Sequence, residues 1–237
     1  MLENLLNEFG DAWVWTSFDP RTKVLPKFVV GKHTLRYAKE LVSKFKDVTD
    51  GTIPLFTSDK LSHYPKALLE AYGIEKPVER PSGTRGRPPK PDLVLPKELQ
   101  YAQVIKKRRK GRVVKVETRI VFGSEKKIKQ ILRDSPVSRK VNTSFTERNN
   151  LTLRHQSKRL SRKTLCFSKQ KRMLELALYL ALAYYHFAKE HWGLRQRVYK
   201  QKPKKWRRRT PAMAAKIADH IWSTHELMTY RIPGELQ

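Results

Sequence analysis

The sequence has little cysteine: Cys166 is the one such residue in 237. That excludes a disulfide framework and a cysteine-based zinc site, and it suits a reducing compartment. The seven histidines, His33, His63, His155, His186, His191, His220 and His225, contain neither HxxxH nor HExxH spacing, which argues against a catalytic zinc. A glycine-rich phosphate loop and a GxSxG nucleophile motif are also missing. Long apolar runs are scarce. The most apolar stretch, residues 173–187, is shorter than a bilayer requires and contains Glu175, so it reads as a buried helix rather than a membrane span. The opening residues Met1-Leu2-Glu3-Asn4-Leu5-Leu6 have no basic segment and no apolar run of the secretory kind. A soluble intracellular protein with no membrane partner is expected.

Negative charge is the other deficit. There are 51 Lys+Arg against 22 Asp+Glu, a formal net charge of +29. A field of this size concentrates polyanions, nucleic acid first and an anionic membrane surface second. Hydrophobic residues are 39% and aromatics 10%, too much apolar material for a wholly disordered basic tail. The length allows one domain with an insertion or two small domains.

The charge is unevenly placed. Residues 1–79 hold 11 basic and 11 acidic side chains, so 40 − 11 = +29 lies in residues 80–237. In the neutral third, residues 12–18 and 24–30 are apolar β-rich runs joined by the turn-forming Asp19-Pro20-Arg21-Thr22-Lys23, which suggests a hairpin; Pro26 makes the second run an edge strand. Thr34 is a candidate N-cap for a helix to about residue 46, with Leu35, Ala38, Leu41, Val42 and Phe45 at helical spacing. A short buried strand at 53–57, ending at Ser58-Asp59, and a helix at 65–72 follow. Residues 76–96 are rich in Pro, Gly, Arg and Lys and read as a linker. Runs at 100–105 and 112–122 then form a hairpin whose tip is Lys106-Lys107-Arg108-Arg109-Lys110-Gly111. Helices are expected near 125–132, 145–159 and 168–189. Thr210-Pro211 supplies an N-cap and N1 pair for a last short helix.

Several positions carry candidate chemistry. Asp59 stands where a strand ends and a helix begins, a place where a turn or capping Asp is the more common reading and a metal-binding carboxylate the functional one. Glu147 fits a capping box with Ser144, yet its helical face also contains Asn150, Leu151, Arg154 and Lys158, which would set a carboxylate in line with phosphate-binding groups. Arg85-Gly86-Arg87-Pro88 has the form of an AT-hook-like peptide: Gly lets the backbone approach the floor of a narrow minor groove, and each Arg runs along it. A flexible basic linker is the alternative. The hairpin tip Lys106, Lys107, Arg108, Arg109 and Lys110, and the cluster Lys204, Lys205, Arg207, Arg208 and Arg209, are phosphate-contact candidates. Trp206 within that cluster either stacks on a base or anchors the segment to the core, the latter being the expectation. The run Leu174 to Tyr185, apolar nearly all round, should be a central core helix or a dimer interface.

The segment Thr143-Ser144-Phe145-Thr146-Glu147-Arg148-Asn149-Asn150-Leu151-Thr152-Leu153-Arg154, continued by residues 158–169, resembles the C-terminal signature of DDE transposases of the "insertion sequence one" type. The likeness extends to Asp11-Ala12-Trp13-Val14-Trp15, Thr57-Ser58-Asp59-Lys60, Ala183-Tyr184-Tyr185-His186-Phe187 and Thr210-Pro211-Ala212-Met213. The resemblance implies an α/β, ribonuclease-H-like (retroviral-integrase-like) mixed sheet with flanking helices, a basic β-hairpin insertion between the second acid and the final Glu, and a helical C-terminal part. It implies Asp59 and Glu147 as catalytic and metal-binding acids, two Mg²⁺ ions with Mn²⁺ as an alternative, double-stranded DNA as substrate, a homo-oligomer in a synaptic complex, and a cytoplasmic, nucleoid-associated location. The expected divisions are 1–75, the first part of the catalytic domain; 76–140, the basic insertion; 141–195, the Glu helix and core helix; and 196–237, a basic C-terminal segment.

One departure is expected to matter. In that family the first catalytic Asp lies on a strand upstream of the Trp-rich strand, and residues 2–9 offer no strand carrying an Asp; Asp11 and Asp19 are poor substitutes. The expectation is a truncated reading frame, inactive by itself. A non-enzymatic basic DNA-binding protein is the alternative, and an RNA-binding protein a third.

Overall fold

The computed structural model describes residues 12–78, 91–161, 163–198 and 206–231. It is a mixed α/β chain that divides into two compact units. One comprises Trp13–Thr16 and Lys27–Ser144; the other takes in Ser17–Pro26 and the chain from Phe145 onward. The AT-hook-like residues Arg85, Gly86 and Arg87, the cations Lys204 and Lys205, and Asp11 lie outside the described residues.

In the first unit, strands β1 (Trp13–Thr16) and β2 (Phe28–Gly31) pair antiparallel, Trp13 opposite Gly31 and Thr16 opposite Phe28. The pairing expected for a hairpin is present, but its connection spans residues 17–27. Val24 and Leu25 are therefore not in a strand. The physical reason is local: the Asp19 carboxylate accepts from the backbone N–H groups of Arg21 and Thr22 and from the Thr22 hydroxyl, winding the chain into a tight turn. Every residue of β2 is buried. Trp15, opposite Val29, is also buried, with its indole N–H donating to the Lys32 carbonyl at 3.2 Å.

Helix α1 (Leu35–Lys46) starts where expected, although the Thr34 side chain makes no capping hydrogen bond. It buries Ala38, Leu41 and Val42 on one face and packs on α2 (His63–Tyr72), an ion pair from Lys39 to Glu70 joining them at the surface. Between the helices, β3 (Leu55–Asp59) is half-buried rather than buried. Two short strands, β4 (Ile74–Lys76) and β5 (Asp92–Val94), pair antiparallel. The long strands β6 (Gln100–Arg109) and β7 (Arg112–Phe122) complete a mixed three-stranded sheet in the order β3-β6-β7, with β3 parallel and β7 antiparallel to β6. The core joins Trp15, Val29, Ala38, Leu41, Val42, Ala67, Leu68, Tyr72, Leu99 and Tyr101. Truncating a side chain as deeply buried as Leu68 to Ala would cost about 2–5 kcal/mol.

The β6–β7 hairpin differs from the expected one in where it turns. The strands run on to Arg109 and resume at Arg112, so Lys106, Lys107, Arg108 and Arg109 are strand residues, not tip residues. Lys110 and Gly111 alone make the turn, both with positive φ (48° and 79°), as a two-residue turn matched to strand twist requires. Helix α3 (Glu125–Asp134) closes this unit.

In the second unit, helix α4 (Ser144–Gln156) buries Asn149 and Leu153 and stops at Ser157, which is extended (φ −123°, ψ 111°). A single 3₁₀ turn, Lys158–Leu160, follows. The helix expected over 145–159 is thus broken before Lys158. Helix α5 (Lys171–Ala183) continues into a π-helical turn, Tyr184–Ala188. It buries Leu174, Leu178 and Leu182 while Leu176, Tyr179 and Leu180 are exposed, so it is covered on one side and is not a central helix. Strands β8 (Gln196–Arg197) and β9 (Trp206–Arg207) pair antiparallel. Helix α6 (Pro211–Ala214) has the expected start, with Pro211 at N1 and the Thr210 hydroxyl accepting from the Met213 N–H. Helix α7 (Thr224–Thr229) is capped by Ser223.

Candidate functional site

Asp59 is the last residue of β3, opposite Val104 of β6, and is exposed. Its position is set from beneath by a chain of polar groups. The Gln103 side-chain amide donates to the Leu61 carbonyl (3.2 Å) and to the Tyr101 hydroxyl (2.9 Å). Ser58 Oγ lies 2.7 Å from that hydroxyl and donates to the Asp59 carbonyl at 2.7 Å. Because Gln103 must donate and Ser58 already donates onward, the Tyr101 hydroxyl is the donor to Ser58. Tyr101 and Gln103 are almost wholly buried, so breaking one link strands a polar group away from water. Burial pushes the Tyr64 and Tyr101 hydroxyls up from the ordinary phenol value, and the Asp59 charge adds to both shifts. Both tyrosines therefore stay neutral beside Asp59.

Sequence reasoning found Asp59 but missed Ser58, Tyr64, Tyr101 and Gln103. The available signal was two polar side chains, Gln100 and Gln103, inside an otherwise apolar strand run, which only makes sense if each has a buried partner.

Glu147 lies in the second unit, exposed in the first turn of α4. Ser144 is the first helical residue, and its hydroxyl donates to Asn142 Oδ1 at 2.7 Å, as its N–H also does at 3.3 Å. The Ser144-to-Glu147 spacing is therefore not that of an N-cap and its N3 partner. Asn150, Leu151 and Arg154 lie on the helical face with Glu147, away from the buried Asn149 and Leu153. Lys158 does not share it, being beyond the break at Ser157. The Asn149 amide is buried, and among the described residues neither of its atoms has a hydrogen-bond partner. Lys23 is held over the Phe145 ring at 4.5 Å, and burial lowers its pKa while Asp19 opposes that.

The basic candidates fall into two groups. On the hairpin arm, Lys107, Arg108, Arg109 and Lys110 are exposed and Lys106 is half-buried. Near the C-terminus, Arg208 forms an ion pair with both Glu190 oxygens (2.9 and 3.2 Å), and Arg209 donates to the Leu194 carbonyl at 2.8 Å. Those two cations have structural partners. Trp206 is not anchored in the core: it is exposed and stacks on the Arg195 guanidinium (4.4 Å), which lies also against Trp192 (4.1 Å).

Asp59 and Glu147 supply hard oxygen donors, the right kind for Mg²⁺, which keeps several waters and takes one or two carboxylates. Among the described residues, no group of three or more His, Cys, Asp or Glu could hold a metal ion. The donor chemistry therefore fits, while the three-acid set that the resemblance implies is not assembled among those residues. No helix of the described residues is long and apolar enough to cross a membrane.

A family model described as IS1 transposase matches residues 118–188. The match runs from the second half of β7 through α3, α4 and α5 to the π-helical turn; it includes Glu147 and leaves out Asp59. No curated protein and no solved structure matches the chain.

Proposed function

We propose that this chain is a transposase that binds double-stranded DNA and cuts and joins DNA strands in transposition, on a ribonuclease-H-like scaffold. The observation that carries the reading is Glu147, exposed in the first turn of α4 within the stretch similar to IS1 transposase. Asp59 is its companion acid, at the end of a strand of a mixed sheet where loop-borne functional groups collect. Each carboxylate is taken as a ligand for Mg²⁺, with Mn²⁺ as an alternative. When bound, such ions stabilise the charge that builds on the attacking and leaving oxygens of a phosphodiester.

The chain's own residues do the rest. The Gln103, Tyr101 and Ser58 hydrogen-bond chain holds the end of β3, so the Asp59 carboxylate is presented without rearrangement. Neutral Tyr64 and Tyr101 add no competing charge beside it. The arm cations, with Arg154 and Lys158, hold phosphates, and a second copy of the chain would hold the other DNA end.

Asp59→Asn and Glu147→Gln test the assignment. Each variant should retain duplex binding and lose Mn²⁺ binding by calorimetry, and, in this chain or a version restored at its N-terminus, should lose strand transfer on duplexes carrying the element's ends. Unchanged Mn²⁺ affinity in both variants would refute the roles given to the acids. A second reading, a DNA-binding protein that cuts nothing, is favoured by the arm, whose cations bind phosphate with no need of a carboxylate.

A further inference from the structure

The hairpin arm has two unlike faces, and the register separates them. Residues directly opposite one another in an antiparallel pair point the same way. Ile105 faces Glu117 and Lys107 faces Lys115, while Lys106 faces Val116. The register then shifts between Lys107 and Arg108, so that Arg108 faces Val113 and Val114 is the extra residue of a bulge. One face therefore carries Lys107, Arg109, Arg112 and Lys115, with Glu117 accepting ion pairs from Lys107 (3.0 Å) and Lys115 (2.9 Å). The other carries Val113 and Val116 between Lys106 and Arg108, with Val114 at the bulge between Val113 and Lys115.

Those three valines are 44%, 61% and 58% exposed. Two exposed valines on one strand face, with a third at the adjoining bulge, favour association with something. The surrounding charge selects the partner. Residues 106–117 hold seven Lys or Arg and one Glu, 7 − 1 = +6. A second copy of the arm would meet the same positive charge, and an ordinary apolar protein surface would leave the cations unmatched. A polyanion with apolar groups on its surface satisfies both.

We propose that the β6–β7 arm enters the major groove of duplex DNA, with the valine face against base edges and the cations on the phosphates of both strands. The proposal rests on the reading of the chain as a DNA-binding protein and adds the groove, the face and the chemical group read. The major groove is about 12 Å wide and admits a two-stranded ribbon, whose strands lie about 4.8 Å apart. Beyond the last buried residue, Val104, five residues of β6 extend about 17 Å, enough to span a groove about 8.5 Å deep. The apolar group on its floor is the thymine C5 methyl. The valines are therefore readers of thymine, and Lys106 and Arg108, which share their face, meet the phosphates, while Lys107 and Lys115 stand on the opposite face and are already shared with Glu117.

The test uses the full chain and three 30-base-pair duplexes of one sequence: ordinary, with uracil replacing thymine, and with glucosylated hydroxymethylcytosine filling the major groove. The wild-type chain should lose affinity about fourfold for each methyl contacted when uracil replaces thymine, and tenfold or more on the glucosylated duplex. The V113T/V114T/V116T variant keeps β-branching and strand propensity, so circular dichroism should be unchanged while discrimination between thymine and uracil falls, one methyl of each side chain being replaced by a hydroxyl. Lys106→Gln with Arg108→Gln should weaken binding to ordinary and uracil duplexes alike. Equal wild-type binding to all three duplexes would overturn the groove assignment while leaving DNA binding intact. Absence of salt-dependent binding to any duplex would instead overturn the underlying reading. Valine variants that change the oligomeric state and leave thymine discrimination untouched would assign the face to a second copy and overturn the proposal.

Discussion

The π-helical turn after α5 should make the second unit sensitive to mild acid. His186 in that turn accepts a hydrogen bond from the Leu25 N–H through Nε2 at 3.1 Å, which requires a neutral ring with its proton on Nδ1. Burial lowers its pKa to about 4, against about 6.5 in an unfolded chain. A depressed folded value means the contribution is present above about pH 6.5 and is lost as pH falls toward 4. Between pH 7 and pH 5 the unfolded state takes up about 0.7 proton and the folded state very little, a loss of about 2 kcal/mol by linkage. For a chain of this size that lowers Tm by roughly 4–8 °C. His186→Gln keeps a carbonyl acceptor for Leu25 and does not titrate, so the difference between wild-type and variant melting curves from pH 7 to pH 4 isolates this residue from the carboxylates and from His191, which burial also depresses. A proton NMR titration of the ring reads the folded pKa directly, and exchange of the Leu25 amide should accelerate once the ring is protonated. Superimposable pH profiles for wild type and variant, or a ring titrating near 6.5, would refute the reasoning.

Tyr101→Phe should cost about 1–2 kcal/mol, because it leaves Ser58 without its donor and Gln103 with one acceptor instead of two; urea unfolding checks it, and a cycle with Ser58→Ala should show coupling. At high pH the stability due to neutral Tyr64 and Tyr185 should fade as pH rises from about 10 through the Tyr185 value of about 12, measurable as loss of tertiary circular dichroism in step with phenolate absorbance. In salt titrations of duplex affinity, Arg108→Gln should lower the log–log slope by about 0.9, and Lys107→Gln or Lys115→Gln by clearly less, since those two stand on the opposite face and Glu117 already offsets them. Replacing Arg85 and Arg87 should reduce preference for A·T-rich duplexes if that peptide lies in the minor groove; an unchanged preference in competition binding assigns it to a linker.

Local chemistry made much of this chain legible. The spacing of Ala38, Leu41 and Val42 marks α1, Thr210-Pro211 marks the start of α6, and Lys110-Gly111 permits one tight turn between two strands. The partition of charge at residue 79 is a property of the sequence and needs no coordinates. Glu147 was visible because its whole neighbourhood, residues 143–169, is contiguous. Contacts between distant residues were not visible in the same way. The Ser58 and Tyr101 pair spans 43 positions, and the bond from Leu25 to His186 spans 161; a polar residue in a strand run shows that a partner is needed without showing which one. The one-sided burial of α5 and the break that takes Lys158 off the Glu147 face were likewise decided by packing and by the backbone at Ser157. The arm shows the division most plainly: its residue types were written in the sequence from Lys106 to Glu117, but a single bulge at Val114 determines which side chains share a face, because each one-residue slip in a strand sends the following side chains to the opposite side.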